Sequence, residues 1–184
     1  MRRVKSCFRR FIDEQTKFDP SGGQIAIEVV LVEPEIPPNT GNIARTCAAT
    51  GSVLHLIEPL GFSLDDRYLR RAGVDYWHLV TVRRHADWDQ FLQALGREPE
   101  QGGFHFFTSH GGTNYARVKY QSNDVLVFGK ESTGLSPELT TKYYDYRCQI
   151  PMAGGVRSLN LSNAAAIVIY EALRQQNFPG LTMT

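Results

Sequence analysis

From Ile25 onward, short runs of β-branched and aromatic residues alternate with stretches of helical periodicity, the pattern of an α/β domain on a mostly parallel sheet. Strands are predicted at Ile25 to Glu33, Val53 to Glu58, Leu79 to Val82, Phe104 to Thr108, Val125 to Phe128 and Tyr146 to Ile150. Several are near-continuous apolar runs, as strands covered on both faces require. Helices are predicted at Gly41 to Thr50, Asp65 to Ala72, Ala86 to Leu95, Pro137 to Tyr144 and Asn160 to Gln176. The last is the clearest: Leu161, Ala164, Ala165, Val168, Ala172 and Leu173 share one helical face, and Pro179-Gly180 closes the segment. Its small residues leave room for another helix, from this chain or from a partner.

Unusual polar chemistry gathers where strands end. Three strands open into loops rich in Gly, Pro, Asn, Ser and charge: Pro34 to Asn42, Gly129 to Gly134, and Pro151 to Ser158. In open α/β sheets ligands bind beyond the carboxyl ends of the strands, so these loops are the expected place for a site.

The 184 residues, 42% hydrophobic and 21% charged, suffice for one domain with a substantial core. The formal net charge is only +1, so any nucleic-acid surface must be local. The charge is unevenly placed: residues 1–24 hold six basic side chains against three acidic ones and end in Pro20-Ser21-Gly22-Gly23. This head reads as an appendage to a domain spanning 25–184, either a mobile basic arm or the product of an early start codon. No apolar run reaches the roughly 18–20 residues of a membrane-spanning helix, and no secretory h-region is present. Cys7, Cys47 and Cys148 form neither a disulfide framework nor a C-x-x-C pair, which fits a reducing cytoplasm. The five histidines show no metal-ligand spacing, and no metal is expected.

Two tempting motifs fail. Gly129-Lys130-Glu131-Ser132 is not a phosphate loop, because Asp124 stands where that motif needs its first glycine. No G-x-G-x-x-G follows a strand, so a nicotinamide-binding fingerprint is absent. In the first loop, Asn39, Asn42 and Arg45 lie at a strand-to-helix transition, where free N–H groups and a guanidinium suit an anion. The plain alternative is that Asn39 or Thr40 caps the helix and Arg45 is solvated. Arg157-Ser158-Leu159-Asn160-Leu161-Ser162-Asn163 concentrates more hydroxyls and amides at a helix start than capping needs. Arg67, Arg70 and Arg71 share a helical face that suits a nucleic-acid backbone or, equally, plain solvent.

Taken in order, the segments Glu33 to Arg45, Leu69 to Gly73, Phe128 to Leu135, Ile150 to Met152 and Arg157 to Ala164 resemble the SPOUT-class RNA 2′-O-methyltransferases. Within that class the chain is most similar to the tRNA (cytidine(34)-2′-O)-methyltransferases, over about residues 25–184. The resemblance implies an α/β sheet flanked by helices with a C-terminal trefoil knot, S-adenosyl-L-methionine bound in the knot, and a homodimer that completes the site. It also implies 2′-O-methylation of the wobble nucleotide, cytidine or a modified uridine, in leucine tRNAs. The same chemistry at another tRNA or rRNA ribose, or a knotted RNA-binding module without turnover, are the alternatives.

Carried over by position, the resemblance assigns the cofactor to Phe107, Gly129, Glu131, Ile150, Met152, Ser158 and Leu159, and catalysis to Asn39, Arg45, Glu131 and Asn160. RNA contact falls to Arg67, Arg70, Arg71 and Tyr170. Glycine at 129 and at 154–155 is expected to let backbone approach the cofactor. The chain departs from the family pattern in Lys130, where proline is common, in Phe107, where a smaller aliphatic is common, and in its 24-residue head.

Overall fold

The computed structural model describes residues 27–63 and 79–183. Seven parallel strands make one sheet: β1 (Glu28–Val32), β2 (Val53–Ile57), β3 (Val82–His85), β4 (Phe104–Phe107), β5 (Thr113–Asn114), β6 (Val125–Phe128) and β7 (Arg147–Gln149), in the order β3-β2-β1-β6-β4-β7-β5. The helices are α1 (Pro37–Thr50), α2 (Trp88–Leu95), α3 (Pro137–Lys142) and α4 (Leu161–Gln175).

Alternation along the strands explains the layers. In β1, Val29 and Leu31 face a core with Ile43, Ala44 and Cys47 of α1 and Val168, Ile169 and Ala172 of α4. Val30 and Val32 face the opposite core, with Phe91 and Leu92 of α2 and Leu139 of α3. The sheet is thus covered on both faces, which is why its central strands read as unbroken apolar runs. Burying a Val or Leu side chain in such a layer contributes about 1.5–3 kcal/mol.

Four strands lie close to their expected positions, and β6 spans the predicted residues. The third does not: it runs Val82–His85 rather than Leu79 to Val82, and Leu79 is exposed. β3 is an edge strand, where the half-buried Arg83 and the exposed Arg84 are tolerated and break the apolar pattern. The two-residue β5 carries no hydrophobic signal.

Helix α1 begins at Pro37, four residues before the predicted start, because prolines at the first helical positions lack only an N–H that has no intrahelical partner. Helix α2 starts two residues later than expected, where Asp87 accepts a hydrogen bond from Gln90 N at 2.7 Å. Helix α3 ends at Lys142 because Tyr143 turns inward and stacks on Phe106, ring centroids 4.7 Å apart. The predicted helix Asp65 to Ala72, and the head before residue 25, lie outside the described residues.

β1 continues to β2 and β3 on one side, whereas β6, β4, β7 and β5 lie on the other. The chain leaves β7 two strands away from β6, yet α4 packs on α1 and β6. The segment joining β7 to α4 therefore returns across the carboxyl ends of the sheet, beside the loops that follow β1, β4 and β6.

Candidate active site

The carboxyl ends of β1, β4, β6 and β7 open into a cleft of about 620 Å³, within the range of small-ligand pockets. Its walls include Phe107, Gly129, Glu131, Ile150, Met152 and Ser158, with Leu159 and Asn160 at the return segment. All seven residues expected at a cofactor therefore line one cavity. Phe107 forms the floor, nearly buried and stacked on Phe128 with centroids 4.9 Å apart.

Glu131 joins the loops. Its carboxylate accepts from Glu35 N at 2.8 Å, Ile36 N at 3.2 Å and the Asn39 side-chain amide at 3.0 Å. Ile36 is the N-cap of α1 and offers no side-chain oxygen, so Glu131 meets N–H groups at that helix start from 95 residues away. A carboxylate there is also favoured by the helix dipole. Glu35 answers reciprocally, accepting from Ser132 N at 3.0 Å, and the Ser132 side chain and then its backbone N–H hold the Glu35 carboxyl below the usual carboxylate range. Lys130, one of the departures from the family pattern, pairs with Glu33 at 2.6 Å in the same seam.

The third loop is tied to the first two through Asn39. Asn160 Nδ2 donates to Asn39 Oδ1 at 3.0 Å, and Asn160 Oδ1 accepts from Ser162 N and Asn163 N at the start of α4. Asn160 is thus both a helix cap and the end of a chain Glu131–Asn39–Asn160. Asn39 does not cap α1, nor does Thr40: both lie inside its first turns.

At position 129 glycine is required by the loop itself. A Cβ on Gly129 would lie 2.1 Å from Gly134 C and Leu135 N, so the close approach is the loop's own return, closed by Lys130 and Gly134 hydrogen bonds of 3.1 and 2.9 Å. At Gly154 and Gly155 the space around a Cβ is open, and Gly155 has φ +85°.

Arg45 stands apart. It lies on the exposed face of α1, outside the residues lining the cleft. Tyr170 is exposed on α4, and Arg67, Arg70 and Arg71 fall outside the described residues. The cleft also takes in residues that sequence reasoning missed: Thr108, Ser109 and His110 after β4, Thr140 of α3, and Arg147. The glycine pair Gly111-Gly112 following a strand was the available signal. Among the described residues no group of His, Cys, Asp and Glu is placed to hold a metal.

The SpoU rRNA Methylase family model matches residues 26–170. Over 153 residues the chain is 50% identical to the tRNA (cytidine(34)-2′-O)-methyltransferase of Burkholderia pseudomallei strain 1106a, spanning 83% of this chain and 97% of that protein. It is similar to a structure solved for insight into the 2-OH methylation of C/U34 on tRNA, with TM-score 0.77, 43% identity, and 83% and 97% of the two chains covered. It is also similar to the SpoU methyltransferase AviRb from Streptomyces viridochromogenes in complex with the cofactor AdoMet, with TM-score 0.74, 25% identity, and 90% and 62% covered.

Proposed function

Because this chain belongs to the SpoU rRNA methylase family, we propose that its cleft is the site of S-adenosylmethionine-dependent methylation of the ribose 2′-hydroxyl at the wobble nucleotide of tRNA, C34 or a modified U34. The observation that carries the reading is the Glu131–Asn39–Asn160 chain, which draws three separate loops around one cavity of suitable size. We propose leucine tRNAs as the accepting set, on the resemblance of the motifs.

The cavity fits the cofactor in chemistry as well as size. Phe107, Ile150, Met152 and Leu159 supply apolar surface for an adenosine, and backbone at Gly129 and Glu131 with the Ser158 hydroxyl supply hydrogen bonds. When bound, S-adenosylmethionine supplies a methyl group on a sulfonium sulfur. The Glu131 side chain acts through position: with both oxygens engaged by N–H groups, it fixes the first loop against the second rather than touching the reactants. Asn39 and Asn160 hold the start of α4 in register with that seam. Methyl transfer is an in-line displacement, so aligning the two reactants accounts for much of the acceleration.

The accepting hydroxyl must also lose its proton. Arg45 is not the acceptor, since a guanidinium stays protonated in proteins. We assign it to gripping the adjacent phosphate in a fork and stabilising the developing oxyanion, with the proton passing to that phosphate or to water. Arg45 lies outside the residues lining the cleft of its own chain, and we propose that a homodimer completes the site by setting this face of α1 toward the cleft of a second copy. RNA contact is assigned to Arg67, Arg70, Arg71 and Tyr170. The strand order and the return of α4 across it support threading of the C-terminal segment as a trefoil knot. No described helix is long and apolar enough to cross a membrane, and Cys47 and Cys148 are free thiols, in keeping with a cytoplasmic setting.

The test is methyl transfer from labelled S-adenosylmethionine to an anticodon stem-loop and to the same RNA with a single 2′-deoxyribose at position 34. Label in the first and none in the second is expected. Equal label in both would reject the assigned acceptor.

A further inference from the structure

Cleft charge is not balanced. Glu131, the acidic residue of the lining, is engaged by three N–H groups, and Lys130 is paired with Glu33. Arg147 and Arg157 also line the cleft, and no described carboxylate lies within ion-pair distance of either. Arg147 is held in an unusual way for an arginine without an acidic partner among the described residues. Its guanidinium carbon sits 3.9 Å from the centroid of the Tyr144 ring, and its Nε donates to Tyr144 O at 3.2 Å. On another side lies the loop after β4, where a Cβ on Gly111 would be 3.5 Å from Nη2. Tyr144 itself, at the start of the turn Tyr144–Tyr146, leaves 63% of its surface exposed.

An exposed aromatic ring bearing a pinned, unpaired guanidinium at the lip of a cleft has little value for stability. With the Tyr144 ring mostly exposed and Arg147 only half-buried, the pair contributes little to the core. It is well suited to a different partner: unstacked nucleobases lie on aromatic and guanidinium planes, and the positive charge favours the adjoining phosphates. A prefixed guanidinium loses little freedom on binding.

We propose that Tyr144 and Arg147 form a base-stacking platform, at which a splayed nucleotide of the substrate RNA rests while the neighbouring nucleotide enters the cleft. The platform rests on the RNA-methylating reading of the cleft. It adds a contact on the β7 side of the sheet, separate from the exposed face of α4 that carries Tyr170. Single-stranded loop RNA is its ligand class, because the bases of a duplex are already stacked.

The test is fluorescence anisotropy of a labelled tRNA anticodon stem-loop on the intact protein, beside calorimetry with S-adenosylmethionine. For Tyr144→Ala the Kd for RNA is expected to rise about five- to tenfold, with the Kd for S-adenosylmethionine unchanged. Tyr144→Phe keeps the ring and restores RNA binding. Arg147→Gln lowers the slope of log affinity against log salt by about one. Unaltered RNA affinity in Tyr144→Ala would overturn the platform, as would a loss confined to S-adenosylmethionine, which would make the pair part of the cofactor pocket. The two readings fail separately: a wild-type protein that binds RNA through Tyr144 without methylating it overturns the catalytic reading and leaves the platform standing. A wild-type protein that binds no RNA overturns both.

Discussion

Glu131 turns both carboxylate oxygens onto N–H groups of another loop, and replacing it tests how far that seam matters. Glu131→Gln keeps one good acceptor and sets an NH₂ against a backbone N–H. The expected loss is about 2 kcal/mol, seen as a lower urea midpoint at unchanged m-value, together with reduced methyl transfer. Transfer falling with no change in midpoint would instead make the carboxylate a direct participant. Gly129→Ala has no room for its methyl group, because backbone of Gly134 and Leu135 occupies the place. Overpacking there is expected to cost about 1–3 kcal/mol and to weaken cofactor binding, read by melting and calorimetry on the same sample. As residues, Asn39, Glu131 and Asn160 were picked out by the ordered motifs, and all three line the one cleft. That they bond to one another was not legible, because the partners lie 92 and 121 residues apart.

Among elements, the first three strands carry a buried polar chain on the face away from α1. Glu28 Oε2 meets His55 Nε2 at 2.6 Å, and His55 Nδ1 meets His85 Nε2 at 2.9 Å, beneath the edge of the Phe91 ring. Burial, with smaller contributions from His55 and Arg83, pushes His85 down to about 4 from an ordinary 6.5. Folding therefore favours neutral His85, so the unfolded chain takes up a proton first as pH falls. That stability is complete above pH 6.5 and is lost progressively as pH drops to about 4, amounting to about 3 kcal/mol at the lower end. Urea midpoints measured across this window should fall, and His85→Gln should flatten the dependence; a wild-type profile without slope would refute the assignment. His55 and His85 pack in the core, although nothing in their spacing announces the pairing. Strands β1, β2, β4 and β6 were legible because both faces are covered. The edge strand β3 was misplaced because its two middle side chains, Arg83 and Arg84, are charged and break the apolar run.

For the whole molecule, the proposed homodimer rests on Arg45, which lies outside the cleft of its own chain. An Arg45→Ala chain and an Asn160→Ala chain should each be inactive alone, for different reasons. If Arg45 serves the cleft of a second copy, re-equilibrating the two in equal amounts should restore about a quarter of wild-type activity, since half the dimers are mixed and each has one intact site. No recovery, or a fully active monomer in sedimentation, would refute a shared site. Arg45→Lys separates the fork from simple charge: near-wild-type turnover would exclude bidentate contact. The sheet was foreseeable from periodicity, whereas a knot never is, because unthreaded connections are the default for any strand pattern. That expectation came from the ordered motifs alone.

The most direct measurement of the central claim is nucleoside mass spectrometry of tRNA from cells lacking this protein, repeated after incubation with the purified enzyme and S-adenosylmethionine. The account predicts that the 2′-O-methyl mark at nucleotide 34 is missing from the first sample and restored in the second. A mark that persists at nucleotide 34, or one lost and regained at another ribose, would contradict it.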